Sequence, residues 1–322
     1  MIAAVLDGRG GLRVEDRPRP TPAAGEALIR VLVAGICSTD LELRKGYMGF
    51  DGIPGHEFVG VVVDATLDTP LLGGRVLGEI NAGCAACHYC REGLERHCPK
   101  RTVLGILGRS GSFAEYLTLP IRNLHAAPKE LASERALFTE PLAAAFEVLE
   151  QVRVVGGRAL VLGDGKLGQL VARVLDRAGA EVTIVGRHAR KLAPLEADGF
   201  ATRVVGRDAL PPARSFPLVV EASGAPEGLE QALRFVTPRG TIVLKSTCAE
   251  GKPLNLAPVV IDEVTIVGSR CGPFRPAIEA LAHGDLRPEE TIDARFPLAE
   301  AVRAFDAAGS PGVRKVVLEV TA

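Results

Sequence analysis

The sequence contains no tryptophan, only three tyrosines and two methionines in 322 residues, and aromatic residues total 4%. A chain this poor in π-faces offers no base-stacking platform for single-stranded nucleic acid. Charge of one sign is also missing: 38 Lys and Arg stand against 39 Asp and Glu, a net charge of −1. That balance gives no long-range pull on nucleic acid or anionic lipid and argues against partners of either kind. No apolar run approaches the ~20 residues of a bilayer-spanning helix. Asp7 and Arg9 fall where a secretory signal needs an unbroken apolar stretch, so the expected location is cytoplasmic. The seven cysteines are odd in number, and four of them fall between positions 84 and 98. A secreted disulfide framework would show an even count in a shorter chain, so clustered thiols point to metal instead.

What is present fits an ordinary globular protein of roughly two domains, with 47% hydrophobic and 24% charged residues. Residues 28–37 (LIRVLVAGIC) and 58–66 (FVGVVVDAT) are β-branched strand runs separated by the turn residues of GIPGHE. The stretch 84–98 is polar and aperiodic, which predicts a loop. Residues 133–152 carry helical spacing that Pro141 interrupts, predicting two pieces or a kink. From residue 157 the pattern becomes strand (RALVLG), helix (GDGKLGQLVARVLDRAG), strand (EVTIVG), a βαβ unit. Further strand runs at 217–223, 240–246 and 264–270 predict a parallel sheet covered on both faces. The tail reads helix, helix, strand.

Gly163, Gly165 and Gly168 form a GxGxxG between the first strand and helix of that unit, opening onto Lys166 and Leu167. In this context the glycines serve a tight turn, backbone approach to a pyrophosphate and close helix–strand packing, with helix N–H groups facing the phosphates. The second strand of an NAD site ends on a carboxylate that accepts from the ribose 2′-OH. Gly186 stands there instead, followed by Arg187 and, further on, Lys191. Without that carboxylate a 2′-phosphate is not repelled, and Arg187 can pair with it, so NADP is expected ahead of NAD. Ser223 and Gly224, where the 217–223 run ends, are further candidate cofactor contacts.

Cys84, Cys87, Cys90 and Cys98 are spaced C-x2-C-x2-C-x7-C. Four thiolates on one short segment close a tetrahedral zinc site with no open position, a structural site. An iron–sulfur cluster is the competing metal reading, and a chance group of reduced thiols the plain one. Cys37-Ser38-Thr39-Asp40 and Gly55-His56-Glu57 make a second group whose residue types suit a catalytic zinc with one position left for substrate.

GICSTD, GHEFVG, the four-Cys segment and GDGKLG, in this order, resemble the zinc-dependent medium-chain dehydrogenase/reductase superfamily of alcohol and polyol dehydrogenases across essentially the whole chain. The resemblance implies an α/β protein: a mostly-β GroES-like catalytic domain over 1–147 with a zinc lobe at 84–98, and a doubly wound Rossmann domain over 148–272. Residues 273–322 would then return to the catalytic domain. Cys37 and His56 match the first two catalytic-zinc ligands. Glu140, in an EPLA segment like that of sorbitol, threonine and glucose dehydrogenases, is assigned as the third, and Glu57 as an exchanging ligand or one behind the metal shell. Thr39 matches the hydroxyl that passes on the substrate proton, and Asp40 the acid that orients the site. Glu42 stands where many members have an outer relay His. Lys315 matches a basic position near the cofactor pyrophosphate. Cys271 falls where the family lines the nicotinamide pocket, with a packing role read ahead of a chemical one, and Cys248 lies away from the zinc motifs.

The expected activity is hydride transfer between NADP, or else NAD, and an alcohol, polyol or sugar hydroxyl or its carbonyl, by a homo-oligomer (dimer or tetramer) that takes small-molecule substrates. The alternatives are a zinc-free enone or quinone reductase, which would lack Cys37, His56 and the four-Cys lobe, and a non-catalytic binding protein on the same scaffold.

Overall fold

The strand Glu26–Ile36 is buried along nearly its whole length rather than at alternate residues, as a strand covered on both faces must be. It pairs antiparallel with Glu57–Ala65, Lys315–Glu319 and Tyr116–Pro120. Arg75–Gly78 and Leu124–Ala126 extend the sheet on one side and Ile292–Pro297 on the other. In the computed structural model, which describes residues 1–154, 157–247, 253–284 and 286–320, this sheet belongs to the first of two compact units. That unit is Met1–Glu140 with Phe274–Ala322, and the second is Pro141–Pro273. Among the described residues, no helix is long and apolar enough to cross a membrane.

The second unit is built on six parallel strands in the order Ala201–Val204, Glu181–Gly186, Arg158–Leu162, Phe216–Glu221, Val236–Leu244 and Thr265–Gly268. Numbered along the chain this is 3-2-1-4-5-6, the doubly wound order whose ligand crevice opens at the carboxyl ends of the two central strands. Those ends carry Gly163 and the Ala222–Ser223 turn. Gly163 has φ +124°, and a Cβ there would strike the Ala222 carbonyl. A Cβ on Gly168 would strike the Gly163 carbonyl, whereas nothing lies within 4 Å of one on Gly165. One glycine turns the chain, one keeps the backbone open, and one lets the helix Lys166–Arg177 pack tightly.

The expected βαβ unit and the three later strands are all present. Pro141 sits in the first turn of Thr139–Gln151, after a separate turn Ser133–Ala136. There its missing N–H breaks no helical bond, so the segment forms two pieces without a kink in the longer one. The 84–98 segment contains one helical turn, His88–Arg91, and a 3-10 turn, Glu95–His97, where a loop was expected. The tail holds an additional strand, Ile292–Pro297, parallel to Lys315–Glu319. Its residues are all half-buried or exposed and end in Pro297, so neither alternation nor an apolar run marked it. Cys248 lies outside the described residues.

Candidate active site and metal centres

The Sγ atoms of Cys84, Cys87, Cys90 and Cys98 lie within 4.8 Å of one another. Local backbone brings them there. Cys87 caps the turn His88–Arg91, Ala85 takes a left-handed φ of +59°, and the Cys84 N–H points at Cys98 Sγ at 3.4 Å. Gly83 must be glycine, since a Cβ would lie 2.7 Å from Cys90 Sγ. The four thiols differ in acidity. The backbone N–H groups of Ala86 and Cys87, with Cys98, bring Cys84 down to about 6. Desolvation, then Cys87 and Cys98, pushes Cys90 up to about 12. Four sulfurs and no further ligand in the set suit a closed zinc site.

Cys37, His56 and Glu57 form the second group, with one ligand atom from each within 4.8 Å of the others. Zinc binds thiolate, imidazole and carboxylate at about 2.0–2.3 Å, so an ion seated among these three atoms needs only small side-chain adjustments. Cys37 follows the strand Glu26–Ile36 and caps the helix Ser38–Arg44. Glu57 opens the neighbouring strand Glu57–Ala65, and His56 directly precedes it.

Asp40, fully buried, ties the two segments together. Its Oδ2 accepts the Cys37 N–H at 2.8 Å and its Oδ1 the Gly55 N–H at 3.2 Å. His56 Nδ1, also buried, stands 3.3 Å from Asp40 Oδ1 without a hydrogen bond. Burial opposes the imidazolium, but the charge and proximity of Asp40, then Cys37, outweigh it and hold His56 well above its usual pKa.

Glu57 is 0% exposed and forms an ion pair with Lys315, itself 1% exposed. The Lys315 ammonium also donates to the Ile36 carbonyl at 3.1 Å and lies 5.8 Å from the Phe138 ring centroid. Gly35 makes room, since a Cβ there would meet the Lys315 ammonium and Glu57 Oε2. The sequence suggested a lysine near the pyrophosphate; the structure buries it against Glu57. The available signal was a lysine directly preceding the apolar residues 316–318 at the start of the strand Lys315–Glu319.

Thr39 is half-buried in the first helical turn beside Cys37. Glu42 turns outward and pairs with Lys45 at 2.7 Å. Glu140 is half-buried in the first turn of Thr139–Gln151 and is not in the group formed by Cys37, His56 and Glu57.

In the second unit, Asp164 of the glycine-rich loop is a site residue the sequence reading passed over. Its carboxylate lies against Gly186 and accepts the N–H groups of Arg187 and His188. The Arg187 side chain is exposed. The Lys191 and Asp164 carbonyls share the Gln169 amide. Ser223 donates to Glu221, and the Gly224 N–H donates to Ser246. Cys271 is half-buried.

Residues 23–129 match the family described as the alcohol dehydrogenase GroES-like domain, and residues 167–283 match the zinc-binding dehydrogenase family. The chain is 32% identical to the L-threonine 3-dehydrogenase of Streptomyces coelicolor over 97% of both chains. It is 31% identical to the D-altritol 5-dehydrogenase of Agrobacterium fabrum over 87% of this chain and 88% of that one. A Sinorhizobium meliloti protein solved with NADP bound is 28% identical, with a TM-score of 0.88 over 99% of both chains.

Proposed function

The chain belongs to the zinc-dependent medium-chain dehydrogenase/reductase superfamily, an NAD(P)-dependent alcohol or polyol dehydrogenase, and from that premise we propose a catalytic zinc held by Cys37 and His56, with oxidation of a secondary alcohol in a small polyol, sugar or hydroxy acid. The observation that carries this reading is the convergence of Cys37, His56 and Glu57, with Asp40 buried behind them. Glu57 is the third donor by position, with Glu140 the carboxylate that exchanges with it, so one position stays open to substrate.

Bound there, zinc supplies Lewis-acid polarisation of the substrate oxygen, and the nicotinamide supplies the hydride acceptor. The remaining work falls to this chain's side chains. Asp40 holds the Cys37 and Gly55 backbones in place, so the two ligand-bearing segments keep their spacing without rearrangement. The Thr39 hydroxyl, two residues along the chain from Cys37, receives the substrate proton and passes it outward. Glu42, paired with Lys45 on the helix exterior, is the outer proton acceptor. The Glu57–Lys315 pair keeps a carboxylate beside the thiol at no net charge.

On the cofactor, Gly186 brings no carboxylate to the ribose and the exposed Arg187 guanidinium is available to a phosphate, which supports NADP. The Asp164 carboxylate at the same place favours NAD. The four-Cys lobe holds a structural zinc. The protein assembles as a homo-oligomer, a reading supported by Val260 and Ile261, each 77% exposed on the short helix before the edge strand Thr265–Gly268. Initial rates on a panel of polyols, aldoses and hydroxy amino acids, each with NAD and NADP, test the proposal. Zinc-loaded protein without turnover across the panel would refute it.

A further inference from the structure

The strand Glu181–Gly186 ends without a side chain, and the space beside Gly186 is filled from another part of the chain. A Cβ on Gly186 would lie 2.5 Å from Asp164 Cβ and 2.7 Å from its Oδ2. Asp164 is 8% exposed. Its Oδ2 accepts the Arg187 N–H at 2.7 Å, the His188 N–H at 2.6 Å and His188 Nδ1 at 3.0 Å, and Oδ1 lies 3.2 Å from the same Nδ1. The Gln169 amide fastens the two loops behind it, donating to the carbonyls of Asp164 and Lys191. Two backbone N–H groups and an imidazole converging on one anionic oxygen, at the start of the helix Ala189–Ala197, form the donor arrangement that binds a phosphate oxygen.

We propose that Asp164 is a specificity-determining residue for the cofactor: its carboxylate occupies, from within the chain, the donor pocket at the end of the second strand that a 2′-phosphate would otherwise take. This rests on the reading of the second unit as the NAD(P) site and not on its preference for either nucleotide.

In a doubly wound fold the adenosine ribose lies at this strand end. With Asp164 in place, a 2′-phosphate meets a like charge and finds the Arg187 and His188 N–H groups taken. A ribose hydroxyl finds an acceptor in Oδ1, which makes the fewer hydrogen bonds of the two oxygens. Arg187 pulls the other way, because its exposed guanidinium attracts a phosphate from the solvent side. The two residues therefore act in opposition, and Gly186 owes its identity to the Asp164 side chain as much as to any ligand. The usual exchange of strand-end residues, Gly186→Asp, would be confounded here by the collision of its new Cβ with Asp164.

The test is Asp164→Ala, with the near-isosteric Asp164→Asn beside it, in the full chain. Affinities for 2′,5′-ADP and 5′-AMP are measured by calorimetry, with melting temperatures confirming that each variant folds. Freeing donors to a charged group is expected to raise the 2′,5′-ADP to 5′-AMP affinity ratio about tenfold or more in Asp164→Ala. Asp164→Asn, which keeps an acceptor but drops the charge, should fall between it and the wild type, and carries the test alone if the alanine variant does not fold. An unchanged ratio, or one shifted toward 5′-AMP, overturns the proposal. The wild-type ratio separately tests NADP preference. A wild type favouring 5′-AMP with an Asp164-dependent ratio removes that preference and leaves this proposal standing.

Discussion

Lys315→Met should be among the most damaging single changes in the first unit. Both members of the Glu57–Lys315 pair are 0% exposed by side chain, and Lys315 also satisfies the Ile36 carbonyl. Methionine fills nearly the same volume, so the cavity contribution is small. What remains is a buried carboxylate without its cation, and removing one partner of such a pair costs about 3–5 kcal/mol. At about 2–4 °C per kcal/mol for a unit of this size, the melting temperature should fall by about 6–20 °C. The double change Glu57→Gln with Lys315→Met removes the uncompensated charge and should recover more than half of the loss. The assay is thermal unfolding by circular dichroism on chelator-treated protein, because a bound ion would itself neutralise Glu57. A single variant within about 1 kcal/mol of wild type, or a double variant no more stable than the single, would show that the pair is not what holds these strands together.

Two further outcomes follow from the same geometry. In chelator-treated protein at pH 7, Cys84, lowered to about 6, is mostly thiolate, whereas Cys90, raised to about 12, is protonated. Iodoacetamide should therefore modify Cys84 well before Cys90 by peptide mass spectrometry, and raising the pH from 7 to 9 should speed Cys84 little. Between the two carboxylates, Glu57→Ala should remove more catalytic zinc than Glu140→Ala, because Glu57 is the one grouped with Cys37 and His56. Metal analysis with initial rates on both variants checks this, and the reverse order would restore Glu140 as the principal ligand.

Signals confined to a few neighbouring residues were legible in the sequence. The four-Cys spacing, the glycines at 163, 165 and 168, and the strand runs around them depend on local backbone geometry, and the structure brings each group together. What escaped was long-range. Lys315 meets Glu57 across 258 positions, and Asp164 meets Arg187 and His188 across 23 and 24. Neither pairing has a local pattern, only a charged residue in an apolar strand and an acid inside a glycine-rich loop. The two candidate carboxylates also differ in the kind of signal that marks them. The motif around Glu140 drew attention to that residue, whereas the antiparallel pairing of Glu57–Ala65 with Glu26–Ile36 places Glu57 beside Cys37.

The most direct test of the account is zinc stoichiometry measured together with turnover in the wild type, Cys37→Ser and Cys90→Ser. Two separate ligand sets predict about two zinc per chain in the wild type. Cys37→Ser should lose about one zinc and nearly all activity while keeping its melting temperature close to wild type, and Cys90→Ser should lose the other together with thermal stability. Full activity in Cys37→Ser, or a wild type active with no metal at Cys37 and His56, would contradict the assignment of this centre as the place where the substrate hydroxyl is activated.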